Sequence, residues 1–300
     1  MTLSTVRSRP WHSRAFLKHL IWTAASSLQL GGLCPFELQQ DWLAINRLPM
    51  PIPGLGGEFR GMKIALISDL HLSPVVLESY LRRCVGIVNG LQPDFVVVTG
   101  DLVTGGRSHA RGAAEILGEL RPRLATLAVL GNHDYGIFHP RMAVTPNLAD
   151  YLEERLSLAG VCVLRNEIRT FRRGGSTLRF VGLDDYWTRF NADQAFETYD
   201  ASIPSVALCH NPDAAPALLE RGVPWILSGH THGKVSMIGS LQPMERRDLV
   251  AGLYELGQNQ NLYVNRGLGH TWRMKACDRP EITLLTLCET PVANAAAQAA

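Results

Sequence analysis

Short apolar runs that alternate with helix-like stretches are the feature that most constrains how this chain folds. Each run is almost wholly apolar and is about as long as a strand buried on both faces. The stretches between the runs carry apolar residues at helical spacing. The alternating strands and helices fall at residues 62–68, 74–89, 95–98, 107–121 and 124–130. Two strand–helix–strand units in succession predict a parallel sheet with right-handed crossovers, which places the chain in the α/β class.

The second half of the chain repeats this pattern less regularly. It predicts several short strands, interrupted by two helices. The strands are predicted at residues 161–164, 168–172, 178–182, 206–209, 225–227, 262–264 and 282–287, and the helices at residues 147–158 and 214–221. Before the first strand of the chain, Pro49, Pro51 and Pro53 alternate with apolar residues, a pattern that permits an edge strand but not a central one.

Composition excludes several classes of function. Hydrophobic residues make up 46% of the 300 residues, which is enough for a sizeable core, and the formal net charge is only +2. The sequence contains no basic stripe interleaved with aromatic residues, so nucleic acid is not an expected partner. Its six cysteines include no C-x-x-C pair, which favours buried or free thiols over a disulfide framework or a zinc knuckle.

The first 36 residues predict an association with a membrane or with an export pathway. Basic residues precede a moderately apolar run, as in a signal peptide or a membrane anchor. A twin-arginine export signal is similar, except that Ser13 stands where its first arginine belongs. A surface-bound amphipathic helix is the third interpretation, and the side of the membrane stays open. The predicted divisions are this segment (1–36), a connector with an edge strand (37–60), one domain (61–290) and a disordered tail (291–300).

Polar side chains that can bind a metal follow the carboxyl ends of five predicted strands. Because open α/β sheets place their chemistry at that edge, we expect these side chains to lie near one another. They are Asp69, His71, Asp101, Asn132, His133, His210, His230 and His232. Asp69 and His71 are two residues apart, as are His230 and His232, so each pair points the same way if the backbone is extended. One such residue alone is typical of a turn, whereas metal-binding side chains after five separate strands indicate a site.

The donor atoms of this set indicate a metal centre without thiolate ligands. Carboxylate, amide and imidazole donors suit Mn, Fe or Zn, and the sequence does not choose among them. The run Asn132-His133-Asp134 offers both a metal ligand and a proton donor.

The chain resembles the calcineurin-like metallophosphoesterases in five motifs over about residues 60–290. In order, these motifs are Asp69-x-His71, Gly100-Asp101, Gly131-Asn132-His133-Asp134, His210 and Gly229-His230-Thr231-His232. The resemblance implies a four-layer α/β/β/α sandwich and a centre of two divalent metal ions. The implied ligands are Asp69, His71 and His232 for one ion, Asn132, His210 and His230 for the other, and Asp101 for both.

The same resemblance implies a hydrolase that cleaves a phosphodiester or pyrophosphate bond. Two cations about 3.5–4 Å apart can clamp the attacking and leaving oxygens of an in-line displacement. His133 is then expected to protonate the leaving oxygen or stabilise its charge, and Asp134 to orient the His133 ring. A non-catalytic scaffold on the same fold is the alternative from another class, but such a protein would be expected to have lost ligands or the motif histidine.

A narrower resemblance concerns the membrane-associated branch of the family, which includes envelope phosphodiesterases and a UDP-2,3-diacylglucosamine pyrophosphatase of lipid A synthesis. It covers residues 51–55, 207–213, 263–269 and 279–287. The implied partner is a phosphorylated small molecule or lipid at a membrane surface, and an exported phosphodiesterase with another envelope substrate is the alternative. Lys234, where the branch has glycine, either contacts a phosphate or points to solvent. The aromatic loop at residues 184–196 either lines an acyl-chain groove or covers the sheet edge.

Overall fold

The apolar runs form the strands of two six-stranded sheets. The structure is a computed structural model that describes residues 43–104, 106–233, 249–269 and 279–290. The strands are β1 (Ala44–Ile52), β2 (Lys63–Ile67), β3 (Phe95–Thr99), β4 (Ala125–Val129), β5 (Val161–Val163), β6 (Glu167–Arg173), β7 (Ser176–Gly182), β8 (Ser205–Leu208), β9 (Trp225–Ser228), β10 (Gly252–Gly257), β11 (Gln260–Val264) and β12 (Glu281–Glu289). The α-helices are α1 (Glu78–Gly90), α2 (Arg107–Leu117), α3 (Leu148–Leu158), α4 (Ala192–Phe196) and α5 (Ala215–Leu219).

Each sheet contains a block of four parallel strands. The strand order is β1-β12-β2-β3-β4-β5 in the first sheet and β10-β11-β9-β8-β7-β6 in the second. β2 to β5 are parallel neighbours, and so are β7, β8, β9 and β11. Antiparallel pairing occurs between β12 and β2, between β10 and β11, and between β6 and β7. Because α1 and α2 connect β2, β3 and β4, the two predicted strand–helix–strand units are confirmed.

Successive residues of the inner strands point to opposite faces of their sheet, so each sheet has one apolar face toward the other sheet and one toward helices. Leu66, Val97 and Phe180 lie in the core between the sheets, whereas their chain neighbours Ala65 and Val96 belong to the core on the outer face of the first sheet. That outer core packs against α1, α2 and α3, and a third core lies between the second sheet, α4 and α5. The four-layer α/β/β/α sandwich implied by the resemblance is therefore confirmed.

The structure differs from the predictions where elements are short or exposed. α1 begins at Glu78 rather than at residue 74, because Pro74 lies in a turn that the Ser73 hydroxyl closes on the Val76 amide. β10 was not predicted, because it is an edge strand without a fully buried residue and so lacks the apolar run of a central strand. α4 has only five residues, too few for a helical period to show in the sequence.

The predicted edge strand is β1, which lies at the end of the first sheet. Its prolines, Pro49 and Pro51, are tolerated there because an edge strand has one side without ladder partners. The predicted segment at residues 1–36, Lys234 and the predicted tail at residues 291–300 lie outside the described residues. None of the helices in the described ranges combines the length and the apolar character that crossing a membrane requires.

Leu227 of β9 tests the core between the sheets, in which it is fully buried. We expect Leu227→Ala to lower the free energy of unfolding by about 2–5 kcal/mol, because the truncation removes apolar burial and leaves a cavity. Leu158→Ala is the matched control: Leu158 is 72% exposed, so its free energy of unfolding should change by about 0.5 kcal/mol or less. Urea unfolding followed by circular dichroism measures both, and equal losses would contradict this core.

Candidate metal centre

All nine predicted site residues lie in loops at the carboxyl ends of strands. The loops follow β2 (Asp69, His71), β3 (Asp101), β4 (Asn132, His133, Asp134), β8 (His210) and β9 (His230, His232). The first three loops belong to one sheet and the last two to the other. A hydrogen bond joins the two sets, since the His230 amide lies 3.1 Å from both carboxylate oxygens of Asp69. The edges of both sheets therefore meet at one place.

Three groups of potential ligand atoms converge there, each with its atoms within 4.8 Å of one another. The groups are Asp69, His71 and His232; His71, Asp101 and His133; and Asp101, His210 and His230. Neighbouring groups share a residue, so they form one continuous cluster. The first and third groups coincide with the acidic and histidine members of the two ligand sets that the resemblance implies.

The Asp101 carboxylate lies at the middle of this cluster. Its Oδ2 atom is 3.2 Å from His210 Nε2, 3.5 Å from His71 Nε2 and 3.9 Å from His133 Nε2. Its Oδ1 atom accepts a hydrogen bond from the His133 amide at 2.9 Å. Burial disfavours the charged form of Asp101, but the imidazoles of His210, His133 and His71 outweigh that effect and hold the pKa of Asp101 well below its ordinary value. The centre therefore has an ionised carboxylate that faces three imidazoles.

Asn132 Oδ1 and His230 Nε2 are among the buried side-chain atoms that have no hydrogen-bond partner in the described part of the chain. Asn132 is fully buried, and its Nδ2 donates to the Ile137 carbonyl at 2.8 Å, which leaves the oxygen as the unused atom of the amide. An unpaired buried polar atom costs about 1–3 kcal/mol. A divalent cation that accepts lone pairs from both atoms would remove this cost, so the residues present fit a metal ion.

Two histidines of the cluster differ in protonation. His210 Nδ1 donates to the Thr99 carbonyl at 2.7 Å, and its Nε2 faces Asp101 Oδ2 at 3.2 Å. Burial opposes the charged form of His210, but Asp101 outweighs burial and raises the pKa of His210 to about 10, so a cation must displace a proton from Nε2 to bind there. Burial, with the neighbouring His210, lowers the pKa of His230 to about 3, so its imidazole is neutral. Burial raises the pKa of Asp69 to about 7, although His210 opposes the shift. A cation that binds here therefore competes with protons for the same atoms.

The backbone conformation of the ligand loops differs from the prediction. Of the nine non-glycine residues with positive φ in the described part of the chain, five are in this cluster. They are Asp69 (48°), His71 (48°), Asp101 (54°), His230 (74°) and His232 (55°). An extended backbone is therefore the wrong explanation for the convergence of Asp69 with His71 and of His230 with His232. The left-handed residues curl each loop so that its side chains turn toward the centre, at a cost of about 1 kcal/mol or more each.

Asp134 occupies a different position from the one expected. Its Oδ1 accepts hydrogen bonds from the amides of Leu102 (2.8 Å) and Val103 (3.1 Å), and its Oδ2 accepts one from the Gly131 amide (2.9 Å). The expectation that it orients the His133 ring is wrong, because both oxygens are engaged by backbone amides of the loops after β3 and β4. Asp134 instead ties these two loops together.

A polar network behind the centre was not predicted. Tyr135 donates to Asp184 Oδ1 at 2.5 Å, and Arg165 binds Asp184 Oδ2 at 2.9 Å and the Tyr135 hydroxyl at 2.8 Å. The network anchors the turn that carries Asn132 and His133 to the end of β7. Asp184 follows a predicted strand as the ligands do, so the same rule would have found it. Arg165 also follows a predicted strand, but an arginine is not a metal ligand, so the search for ligands passed over it.

Two aromatic rings contact histidines of the cluster. Trp187 meets His230 edge-on, with ring centroids 5.0 Å apart, and Phe138 meets His133 in the same way at 4.5 Å. The other aromatic residues of the loop at residues 184–196 pack against the third core. These residues are Tyr186, Phe190 and Phe196. Most of this loop therefore covers the second sheet, and Trp187 is the member that contacts the centre.

Comparison with known proteins identifies the class. Residues 62–234 match the family described as calcineurin-like phosphoesterase, and the chain belongs to this family. Members of the family use a divalent metal centre, for which the Asp and His cluster supplies the donors. The chain is therefore a metal-dependent phosphoester hydrolase.

Three curated relatives show what the chain is similar to. It is 30% identical over 251 residues to the transmembrane protein with metallophosphoesterase domain of Danio rerio, which covers 79% of this chain. It spans only 56% of the length of that protein. It is 28% identical over 303 residues to UDP-2,3-diacylglucosamine pyrophosphatase LpxG of Chlamydia trachomatis, covering 85% of this chain and 92% of the relative. It is 30% identical over 232 residues to phosphodiesterase YaeI of Escherichia coli, covering 75% of this chain and 82% of the relative.

Gly267 tests how the ligand loop after β2 is supported. Its φ is +77°, and a Cβ atom there would lie 2.5 Å from the Cβ of Asp69. Gly267→Ala should therefore displace Asp69 and weaken the binding of Mn²⁺ or Zn²⁺. We expect a loss of about tenfold or more in affinity, which corresponds to about 1.4 kcal/mol or more of binding free energy. Gly160→Ala is the matched control, because Gly160 has φ +81° but nothing within 4 Å of the added atom.

Both glycine variants should lose about 1 kcal/mol of stability, because both place a side chain in the left-handed region. Gly267→Ala should lose more than that, because its added Cβ atom also meets Asp69. Titration calorimetry of the metal-free proteins measures the affinity, and thermal unfolding measures the stability. Equal metal affinity in the two variants would show that Gly267 does not support Asp69.

Proposed function

We propose that this chain is a two-metal phosphohydrolase that cleaves a phosphodiester or pyrophosphate bond in a lipid substrate at a membrane surface. The observation that carries the proposal is the buried Asp101 carboxylate, which is common to two groups of ligand atoms. A carboxylate between two imidazole sets is suited to bridge two cations, and a pair of cations is suited to displacement at phosphorus.

The proposed ligands follow the geometry of the cluster. They are Asp69, His71 and His232 for one ion, Asn132, His210 and His230 for the other, and Asp101 for both. Without thiolates, this set suits Mn, Fe or Zn. Bound divalent ions supply Lewis-acid stabilisation of the phosphoryl oxygens and lower the pKa of water at the centre.

His133 supplies the proton-transfer group of the proposal. Its side chain is 16% exposed, and its Nε2 lies 3.9 Å from Asp101 Oδ2. Burial lowers the pKa of His133, although Asp101 opposes the shift. A ring at the open side of the cluster can donate a proton to the leaving oxygen as the phosphorus–oxygen bond breaks. Asp134 is a positioning residue in this proposal, since it holds the loop that carries His133 against the loop that carries Asp101.

His133→Ala tests the proton-transfer role. We expect it to retain both metal ions and to lower kcat by about 100-fold to 10,000-fold, the range of general acid catalysis. Metal content is measured by mass spectrometry of the purified protein, and kcat is measured with added Mn²⁺ on a phosphodiester with an alkyl leaving group, which needs a proton to leave. His109→Ala is the control, because His109 lies on α2 and its ring contacts the hydroxyl of the neighbouring Ser108 at 3.2 Å. Unchanged kcat in His133→Ala would remove His133 from the mechanism.

Exposed apolar side chains in the loop after His133 support a lipid substrate. Phe138, Met142 and Val144 are 44%, 44% and 46% exposed, and they lie in the loop that follows the His133 turn. We call these three residues the apolar rim. Since Phe138 touches the His133 ring, the group attached to the phosphate would lie against the rim. Exposed apolar residues at one place are typical of a site that contacts an apolar ligand or a membrane.

The relative named UDP-2,3-diacylglucosamine pyrophosphatase favours one member of this substrate class. The similarity covers 92% of that protein. A nucleotide-linked diacyl sugar has a pyrophosphate for the metal centre and acyl chains for the apolar rim. This substrate also agrees with a membrane anchor, which is one of the interpretations of residues 1–36.

Val144→Ser tests the lipid proposal, because Val144 has no part in the cluster. We expect kcat/KM on UDP-2,3-diacylglucosamine, measured by release of UMP, to fall about fivefold to tenfold, since about 1 kcal/mol of apolar contact is lost. Activity on bis-p-nitrophenyl phosphate should not change. Leu158→Ser is the control, because it makes the same kind of change, from an exposed apolar residue to serine, at the end of α3. An equal loss on both substrates would contradict the lipid proposal.

An exported phosphodiesterase with another envelope substrate is the alternative, and the similarity to phosphodiesterase YaeI supports it. Release of UMP that is lost in Asp101→Asn supports the diacyl-sugar substrate. Activity on the simple diester alone, together with an exported reporter fused after residue 36, supports the alternative.

A further inference from the structure

Thr104 stands between the rings of His71 and His133. Its hydroxyl oxygen lies 2.7 Å from His71 Nδ1 and 3.4 Å from His133 Nδ1. The two rings meet edge-on, with centroids 4.7 Å apart. The Thr104 amide donates to the Leu72 carbonyl at 3.0 Å, so the backbone holds the hydroxyl in this position. One hydroxyl therefore contacts a proposed metal ligand and the proposed proton donor.

The direction of these hydrogen bonds follows from the atoms involved. His71 points its Nε2 into the cluster, 2.9 Å from His232 Nε2 and 3.5 Å from Asp101 Oδ2. A ring that binds a cation through Nε2 carries its proton on Nδ1. His71 Nδ1 then donates to the Thr104 oxygen. Because a hydroxyl has one hydrogen, that hydrogen is left for His133 Nδ1.

We infer that Thr104 is a positioning residue that fixes the tautomer of His133. When His133 Nδ1 accepts the hydrogen from Thr104, the proton of the neutral ring is on Nε2, which lies 3.9 Å from Asp101 Oδ2. His133 then meets the leaving oxygen with an N–H group, which stabilises developing negative charge by a hydrogen bond, whereas the lone pair of the other tautomer would repel that charge. The inference rests on the proposed function for its catalytic consequence, but the tautomer itself can be measured without turnover.

Thr104→Val and Thr104→Ser form the test. Valine keeps the shape of threonine but has no hydroxyl, whereas serine keeps the hydroxyl and loses a methyl group. Thr126→Val is the matched control, because Thr126 is a buried threonine within β4 and away from the cluster. Nitrogen-15 NMR of the full-length Zn²⁺-loaded protein at mildly alkaline pH, where an imidazole is neutral, reports which ring nitrogen carries the proton. The His133 signals are assigned by their loss in His133→Asn.

We expect His133 to be protonated on Nε2 in the wild type, Thr104→Ser and Thr126→Val. In Thr104→Val we expect a mixture with the Nδ1 form. We also expect kcat of Thr104→Val to fall about 10-fold to 100-fold on a diester with an alkyl leaving group, because its leaving oxygen develops a localised negative charge that depends on the Nε2–H donor. The loss should be much smaller with p-nitrophenolate, which spreads this charge over its ring, and Thr104→Ser should recover most of the activity.

The same Nε2 tautomer in wild type and Thr104→Val would overturn the inference, as would an Nδ1 proton in the wild type. A loss of kcat in Thr104→Val that is equal for both leaving groups would also overturn it, since a structural defect would act on both. A wild-type protein that binds Zn²⁺ but hydrolyses no phosphate ester would refute the proposed function while the NMR result still decides the tautomer.

Discussion

The site depends on one buried carboxylate. Asp101 is 1% exposed, and its two oxygens contact one amide and three imidazoles. These groups belong to the loops after β2, β4 and β8. A buried anion is unfavourable unless positive charge and donors compensate it. Loops of both sheets supply this compensation, because His71 follows β2 and His210 follows β8. The centre can therefore form only where the two sheets pack together.

The left-handed ligand residues show where the fold stores strain. Backbone hydrogen bonds hold them in place: the Asp69 amide donates to the Gly100 carbonyl and the His71 amide to the Asp101 carbonyl, each at 2.9 Å. Close packing makes the arrangement difficult to relax, since a Cβ atom at Gly131 would lie 2.3 Å from Asp101 Oδ1. The strain of about 1 kcal/mol or more per residue is offset by the large apolar core between the sheets. The backbone conformation of these loops thus directs the side chains of the cluster toward one place.

The parallel strands and the residues at their ends could be predicted from the sequence. Buried strands have unbroken apolar runs, and the polar residues of the candidate site come directly after these runs. β10 and α4 could not be predicted, since an exposed edge and a five-residue helix have no such pattern. At the site, the nine residues were found by position, but their supports were not. Asp134 binds backbone amides and Thr104 contacts two histidines, and both facts depend on how separate loops cross in three dimensions.

The loop that carries the apolar rim is attached to the centre at both of its ends. The amides of Gly136 and Ile137 donate to the carbonyls of His133 and Asn132, and the Thr145 amide returns to the Tyr135 carbonyl at 2.8 Å. Tyr135 is in turn bound through its hydroxyl to the network behind the centre. Apart from Phe138, which packs on the His133 ring, residues between these attachment points are free of the contacts that hold His133. Loops held in this way by a rigid scaffold are where recognition commonly differs among proteins that share one chemistry. The cluster and the rim are therefore separate parts of the fold, and the rim can differ between related proteins while the cluster stays the same.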